Sequence, residues 1–183
     1  MRREHAAAIR AHAEREYPHE CCGLLVGRIT PDGRTRVIEE LYPVANEFDR
    51  ATLHEVFDGA TTERNDAAAQ SVAEAAAEVD ADATAADVAS ERHRRMLIPP
   101  QAYLRAERRY AAQGWGVVGN YHSHPEHPAV PSRFDLEHLA PWPTMSYVVV
   151  SVRAGQAAEL RSWELAADRS RFDEEQWAEI ETT

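Results

Sequence analysis

Apolar and polar positions alternate along the chain with two periods, one helical and one extended. Residues 3–17 set alanine and isoleucine among charges at helical spacing, and Pro18 ends the period. This predicts an opening helix. Residues 22–27, Cys-Gly-Leu-Leu-Val-Gly, form a short apolar run bounded by glycines and predict a buried strand. Pro31-Asp32-Gly33 signals a turn, so 36–44 returns as a second, antiparallel strand. Further on, 95–98 reads as a short strand stopped by Pro99 and Pro100. Residues 100–113 follow as a helix, with Tyr103, Leu104 and Tyr110 near one face and Gly114 closing it. Residues 115–121 predict a central strand. A loop with Pro125, Pro128 and Pro131 then leads to a helix at 132–139. The strongest strand signal is 145–152; Gly155 turns it into a partner at 159–165, and 172–180 closes as a helix. Strands mixed with helices on either side predict an α/β or α+β sheet protein.

The interval between these ordered halves differs in character. Residues 60–89 hold 13 alanines and seven acidic residues against one arginine, Arg64. Alanine and glutamate favour helix, but almost nothing large and apolar is present to anchor one. The expected organisation is one domain over 1–183 with an acidic, Ala-rich insertion at about 50–93. Such an arm is either a lid or docking element, or a surface insertion tolerated because long loops cost little entropy.

Composition narrows the partners. The 183 residues are enough for one domain with a real core, 44% of them hydrophobic. Twenty cations, all arginine, face 31 acids for a net charge of -11, which argues against a nucleic-acid reader. Cys21 and Cys22 are adjacent and cannot close a loop as a disulfide, which fits a reducing cytoplasm. The N-terminal segment lacks the apolar run of a signal peptide, and no stretch approaches the ~18 apolar residues of a membrane span. The expectation is a soluble cytoplasmic protein.

The segment from Asn120 to Asp135 carries the chemistry. His122 and His124 stand at i and i+2 at the end of a strand and so point to one face. Their imidazoles can converge on one ion. Asp135, on the following helix, can supply a third ligand. Two histidines and a carboxylate leave the fourth zinc position open for water, the layout of a catalytic site. Zinc lowers the pKa of bound water to about 7. Glu20, just before the first strand, is a candidate base, and Ser132 a candidate oxyanion donor. Each has a plainer alternative. Ser132-Arg-Phe-Asp135 is also a helix capping box, and Glu20 alone reads as a solvated carboxylate. Cys22 reads as small and buried, and His127 as loop surface. The metal reading rests on conjunction.

Taken together, Glu20-Cys-Cys-Gly23, His122-Ser-His-Pro125, and Ser132-x-x-Asp135, with seven residues between His124 and Ser132, resemble the JAMM (MPN+) zinc metallopeptidase family. The likeness covers most of 1–45 and 94–180; the acidic arm has no counterpart in it. The resemblance implies a mixed, mostly antiparallel sheet flanked by helices, of a type also likened to cytidine deaminases. It implies zinc held by His122, His124 and Asp135, Glu20 as general base on the zinc water, and Ser132 as an oxyanion donor. It also implies a substrate: a small ubiquitin-like (β-grasp) protein with a C-terminal Gly-Gly. Tyr-Pro-x-Glu at 17–20 and the 120–135 segment are most similar to members that trim ubiquitin-like sulfur carriers, for carrier maturation or amino-acid release. Removal of a modifier from lysines, and a non-catalytic MPN scaffold, stay open as alternatives, as does a homodimer.

Overall fold

Strand β1 (Cys22–Ile29) sets the layering of the molecule. Its alternate side chains enter two apolar clusters, Leu25 on one face and Cys22, Leu24 and Val26 on the other. A strand that is apolar on both faces has to be covered on both. Helix α1 (Arg3–Glu16) covers the first face with Ala6, Ile9 and Ala13, and helix α2 (Pro100–Tyr110) covers the second with Ala102, Ala106 and Tyr110. Small residues on both helices let the backbones sit close to the sheet. Residues 1–46, 48, 95–139 and 142–180 are described by this computed structural model. The expected acidic insertion lies outside the described residues.

Strands β2 (Arg36–Val44), β3 (Gly116–Pro125), β4 (Ser146–Arg153), β5 (Gln156–Leu165) and β6 (Phe172–Glu175) complete a six-stranded sheet. Its order is β2-β1-β3-β4-β5-β6. Neighbours are antiparallel except β3 and β4, which are parallel. The sheet is thus mixed and mostly antiparallel with helices on its faces, as expected. A parallel pair cannot be joined by a tight hairpin. Residues 126–145 therefore form a long crossover that starts at the end of β3, and this crossover carries Asp135. Where β3 meets β4, a Cβ on Gly119 would lie 2.3 Å from the Ser146 carbonyl oxygen, so only glycine permits that approach.

The elements depart from the sequence pattern in three places. Residues 95–98 form no strand, although Met96, Leu97 and Ile98 are buried, Met96 and Ile98 in the cluster under α2. Leu104 is exposed, because the buried stripe of α2 runs through Ala102, Ala106 and Tyr110. The closing helix expected at 172–180 is instead β6 followed by an irregular tail. Cross-strand contacts explain this: Glu174 pairs with Arg161 and Glu175 accepts from Ser162, both on β5. Arg36, at the start of β2, reaches Glu164 of β5, Glu175 of β6 and the Thr144 carbonyl, and so ties the β1–β2 hairpin to the far strands. Among the described residues, no helix is long and apolar enough to cross a membrane.

Candidate metal centre

β3 runs on to Pro125, four residues past the expected end, so His122 and His124 both stand inside a paired strand. Parity puts them on one face, with Ser123 pointing the other way and accepting from the Cys21 amide at 2.8 Å. Both rings are buried, and their Nε2 atoms lie 2.9 Å apart. The crossover brings Asp135 to the same point. Its Oδ1 is 3.5 Å from His122 Nε2 and its Oδ2 is 3.5 Å from His124 Nε2. Ligand atoms of the three residues all lie within 4.8 Å of one another.

This donor set fits a divalent cation. A tetrahedral ion with Zn–N bonds of about 2.0–2.1 Å holds its ligand nitrogens roughly 3.3 Å apart, close to the spacing found here. The second ring nitrogen of His124 lies 3.1 Å from the Pro128 carbonyl oxygen, where it donates. That contact leaves the lone pair on Nε2, facing the other ligands. Pro128 belongs to the proline loop, so the loop's stiffness serves to orient a ligand. Among the described residues, His122 Nδ1 is buried without a partner.

The capping and metal readings of Ser132 and Asp135 prove compatible. Asp135 Oδ2 accepts from the Ser132 amide at 2.5 Å, and Ser132 Oγ accepts from the Asp135 amide at 3.2 Å, the reciprocal pair of a capping box. The cap fixes the carboxylate while its two oxygens face the two imidazoles. The segment it opens is not the regular helix expected at 132–139. A short α turn passes into a π-helical turn at Asp135–Leu139, a form often found at functional sites.

Glu20 is brought to the same cavity. It is buried, and with Arg95, His124, His127, Pro128, Val130, Ser132, Arg133 and Phe134 it lines a space of about 460 Å³. Burial pushes its carboxyl well above the usual carboxylate range, and the charge of Asp135 adds to that. Asp135 goes the other way. Burial alone would raise it, but the charges and hydrogen bonds of His122 and His124 outweigh burial and hold it well below the usual range. Two carboxylates driven apart in this way suit two roles, an ionised ligand and a proton carrier.

One residue of this site goes unmarked in the sequence. The Asn46 amide donates to the Glu20 carbonyl and to the Arg95 carbonyl, both at 3.0 Å, and accepts from the amides of Phe48 and Leu97, both at 3.1 Å. One side chain thus binds the backbone of Glu20 to both flanks of the inserted segment. Its sequence signal is slight, a single asparagine just after a strand.

A family model described as prokaryotic homologs of the JAB domain matches residues 2–166. The chain belongs to that family. Solved structures agree. A protein from Salinibacter ruber is 31% identical with a TM-score of 0.60, over 98% of this chain and 92% of that one. A protein from Desulfitobacterium hafniense is 25% identical with a TM-score of 0.66, over 99% of this chain and 92% of that one. No protein of curated function matches. This JAB domain therefore carries a buried His122-His124-Asp135 group able to hold a metal, in a family whose members are often hydrolytic.

Proposed function

We propose that this JAB domain is a zinc metallopeptidase that hydrolyses the peptide bond after the C-terminal Gly-Gly of a small ubiquitin-like sulfur carrier. The observation that carries the reading is the convergence of His122, His124 and Asp135 beside a buried Glu20 on one cavity. Zinc bound by the three ligands would polarise the scissile carbonyl and supply an activated water near neutral pH. Glu20 takes up the proton of the attacking water and passes it to the leaving amine, work that suits a carboxyl raised by burial. Ser132, whose Oγ accepts from the Asp135 amide, keeps its O–H to donate to the oxygen that becomes negative. A Gly-Gly tail matches this access, since glycine alone brings backbone close to buried ligands without side-chain clash.

The test is hydrolysis followed by mass spectrometry. The zinc-loaded protein is incubated with a β-grasp carrier bearing one linear residue beyond Gly-Gly, and separately with the carrier joined to a lysine. Cleavage of the linear form alone supports the proposal; preferential cleavage of the lysine-linked form replaces it with an isopeptidase. Glu20→Ala should retain zinc and lose roughly 10²-fold or more in turnover. His124→Ala and Asp135→Ala should lose zinc and activity together, and full zinc retention in both would discard the ligand assignment.

A further inference from the structure

Ser123 stands between the two histidine ligands and supplies no ligand itself. Strand parity turns it to the opposite face of β3, where it is completely buried. Across from it lies Cys21, the residue after Glu20 and the last before β1 begins. In a regular antiparallel pair two such residues exchange both of their backbone hydrogen bonds. Here one of the two is backbone, from the Ser123 amide to the Cys21 carbonyl at 3.1 Å. The other is not, because the Cys21 amide donates to the Ser123 hydroxyl at 2.8 Å. A side chain of the ligand strand thus replaces a ladder acceptor where the chain bearing Glu20 joins the sheet.

The amide that Ser123 holds shares one peptide group with a carbonyl held from elsewhere. Asn46 donates to the Glu20 carbonyl at 3.0 Å, and that carbonyl and the Cys21 N–H are the two ends of the Glu20–Cys21 peptide. The group is trans and planar, so its ends point in opposite directions and its plane contains the Glu20 Cα. With both ends held by side chains the plane is fixed, and the Cα of Glu20 with it. Asn46 ties this plane to the flanks of the insertion. Ser123 ties it to the strand whose next residues on either side, His122 and His124, face the metal position. Resting on the metallopeptidase reading above, we propose that Ser123 is a positioning residue, which holds Glu20 in register with the metal ligands. Its value to the reaction is geometric, since a base misplaced by about 1 Å can cost on the order of 10²-fold in rate.

The experiment is a double-mutant cycle on Ser123→Ala and Glu20→Ala. It reads zinc affinity by chelator competition, and kcat of the zinc-loaded proteins on a β-grasp carrier ending Gly-Gly-Ala. Ser123→Ala should bind zinc within about threefold of the parent and lose about tenfold or more in kcat. In the Glu20→Ala background the same substitution should change the residual kcat by less than about twofold, because the base it would place is gone. Ser123→Thr keeps the hydroxyl and should recover most of the loss. In the metal-free parent the Cys21 amide should exchange slowly with solvent, and about tenfold or more faster in Ser123→Ala. A full loss repeated in the Glu20→Ala background, or a parallel fall in zinc affinity, overturns the proposal and makes Ser123 a general support of the site. Unchanged kcat in Ser123→Ala, or fast exchange of the Cys21 amide in the parent, also overturns it. Those outcomes leave carrier trimming standing. Failure of the zinc-loaded parent to cleave the carrier overturns carrier trimming and this inference together.

Discussion

At the scale of single residues, the site stores a conflict that can be measured. Glu20 is buried, and burial raises its carboxyl pKa above the unfolded value, with Asp135 adding to the shift. A group raised in this direction supports the fold while protonated, below its unfolded pKa. That support is lost as pH rises through the folded value, so the buried carboxyl costs the fold stability toward higher pH. Glu20→Gln removes the charge and keeps the shape. The metal-free variant should therefore melt above the metal-free parent at pH 7–8, by about 2–4 °C for each kcal/mol recovered. The gap should close as pH falls below the usual carboxylate range. Thermal melts of both proteins across pH decide it, and a variant no more stable than the parent at pH 8 would mean Glu20 is not held at an energetic cost. The same variant should be inactive, since the amide cannot carry the proton.

At the scale of elements, the junction built by Asn46 joins stability to catalysis. Its amide makes four hydrogen bonds to backbone, spanning Glu20, Phe48, Arg95 and Leu97. Asn46→Ala leaves those groups unpaired in a half-buried setting, and should cost about 1–3 kcal/mol. If the clamp also places Glu20, kcat falls more than zinc affinity does; loss of stability with full kcat would leave it a structural tie alone. Little in the sequence marks this role, because three of its four partners are backbone groups from segments distant along the chain. The convergence of His122, His124 and Asp135 was legible for the opposite reason. His122 and His124 share a face by strand parity, and Asp135 follows at a fixed interval, so local spacing carries the information. Glu20 was legible only together with them, since its burial comes from tertiary packing. The tail shows the limit of local pattern. Residues 172–180 are rich in helix-favouring glutamate, yet Arg161, Ser162 and Trp163 on β5 offer partners that hold 172–175 extended. Tertiary pairing overrides propensity there. The exposure of Leu104 has the same origin, since the sheet selects which stripe of α2 it covers.

At the scale of the whole molecule, the sheet and the site depend on contacts that cross the chain, and the residues that flank the insertion meet at one place. Asn46 donates to the Arg95 carbonyl at 3.0 Å, so residues 49 apart in sequence adjoin in space. The apolar clusters beneath the ligands draw on α1, α2 and the strands, with Met96 and Ile98 at the near edge of the α2 cluster. Arg36 binds the opposite edges of the sheet through residues outside the insertion. Replacing 50–93 with a short Gly/Ser linker therefore asks little of the fold, because the flanking Asn46 and Arg95 already adjoin and shortening a loop changes closure entropy only slowly. The shortened protein should bind one zinc, melt within a few degrees of the parent and cleave a linear Gly-Gly-Ala carrier at a comparable rate. Comparing its zinc content and kcat with those of the parent tests this. Zinc bound but kcat/KM reduced on the carrier, with kcat unchanged, would assign the insertion to substrate capture. Loss of zinc would instead make the acidic segment part of the metal site's support, and the sheet with its crossover would no longer suffice to build it.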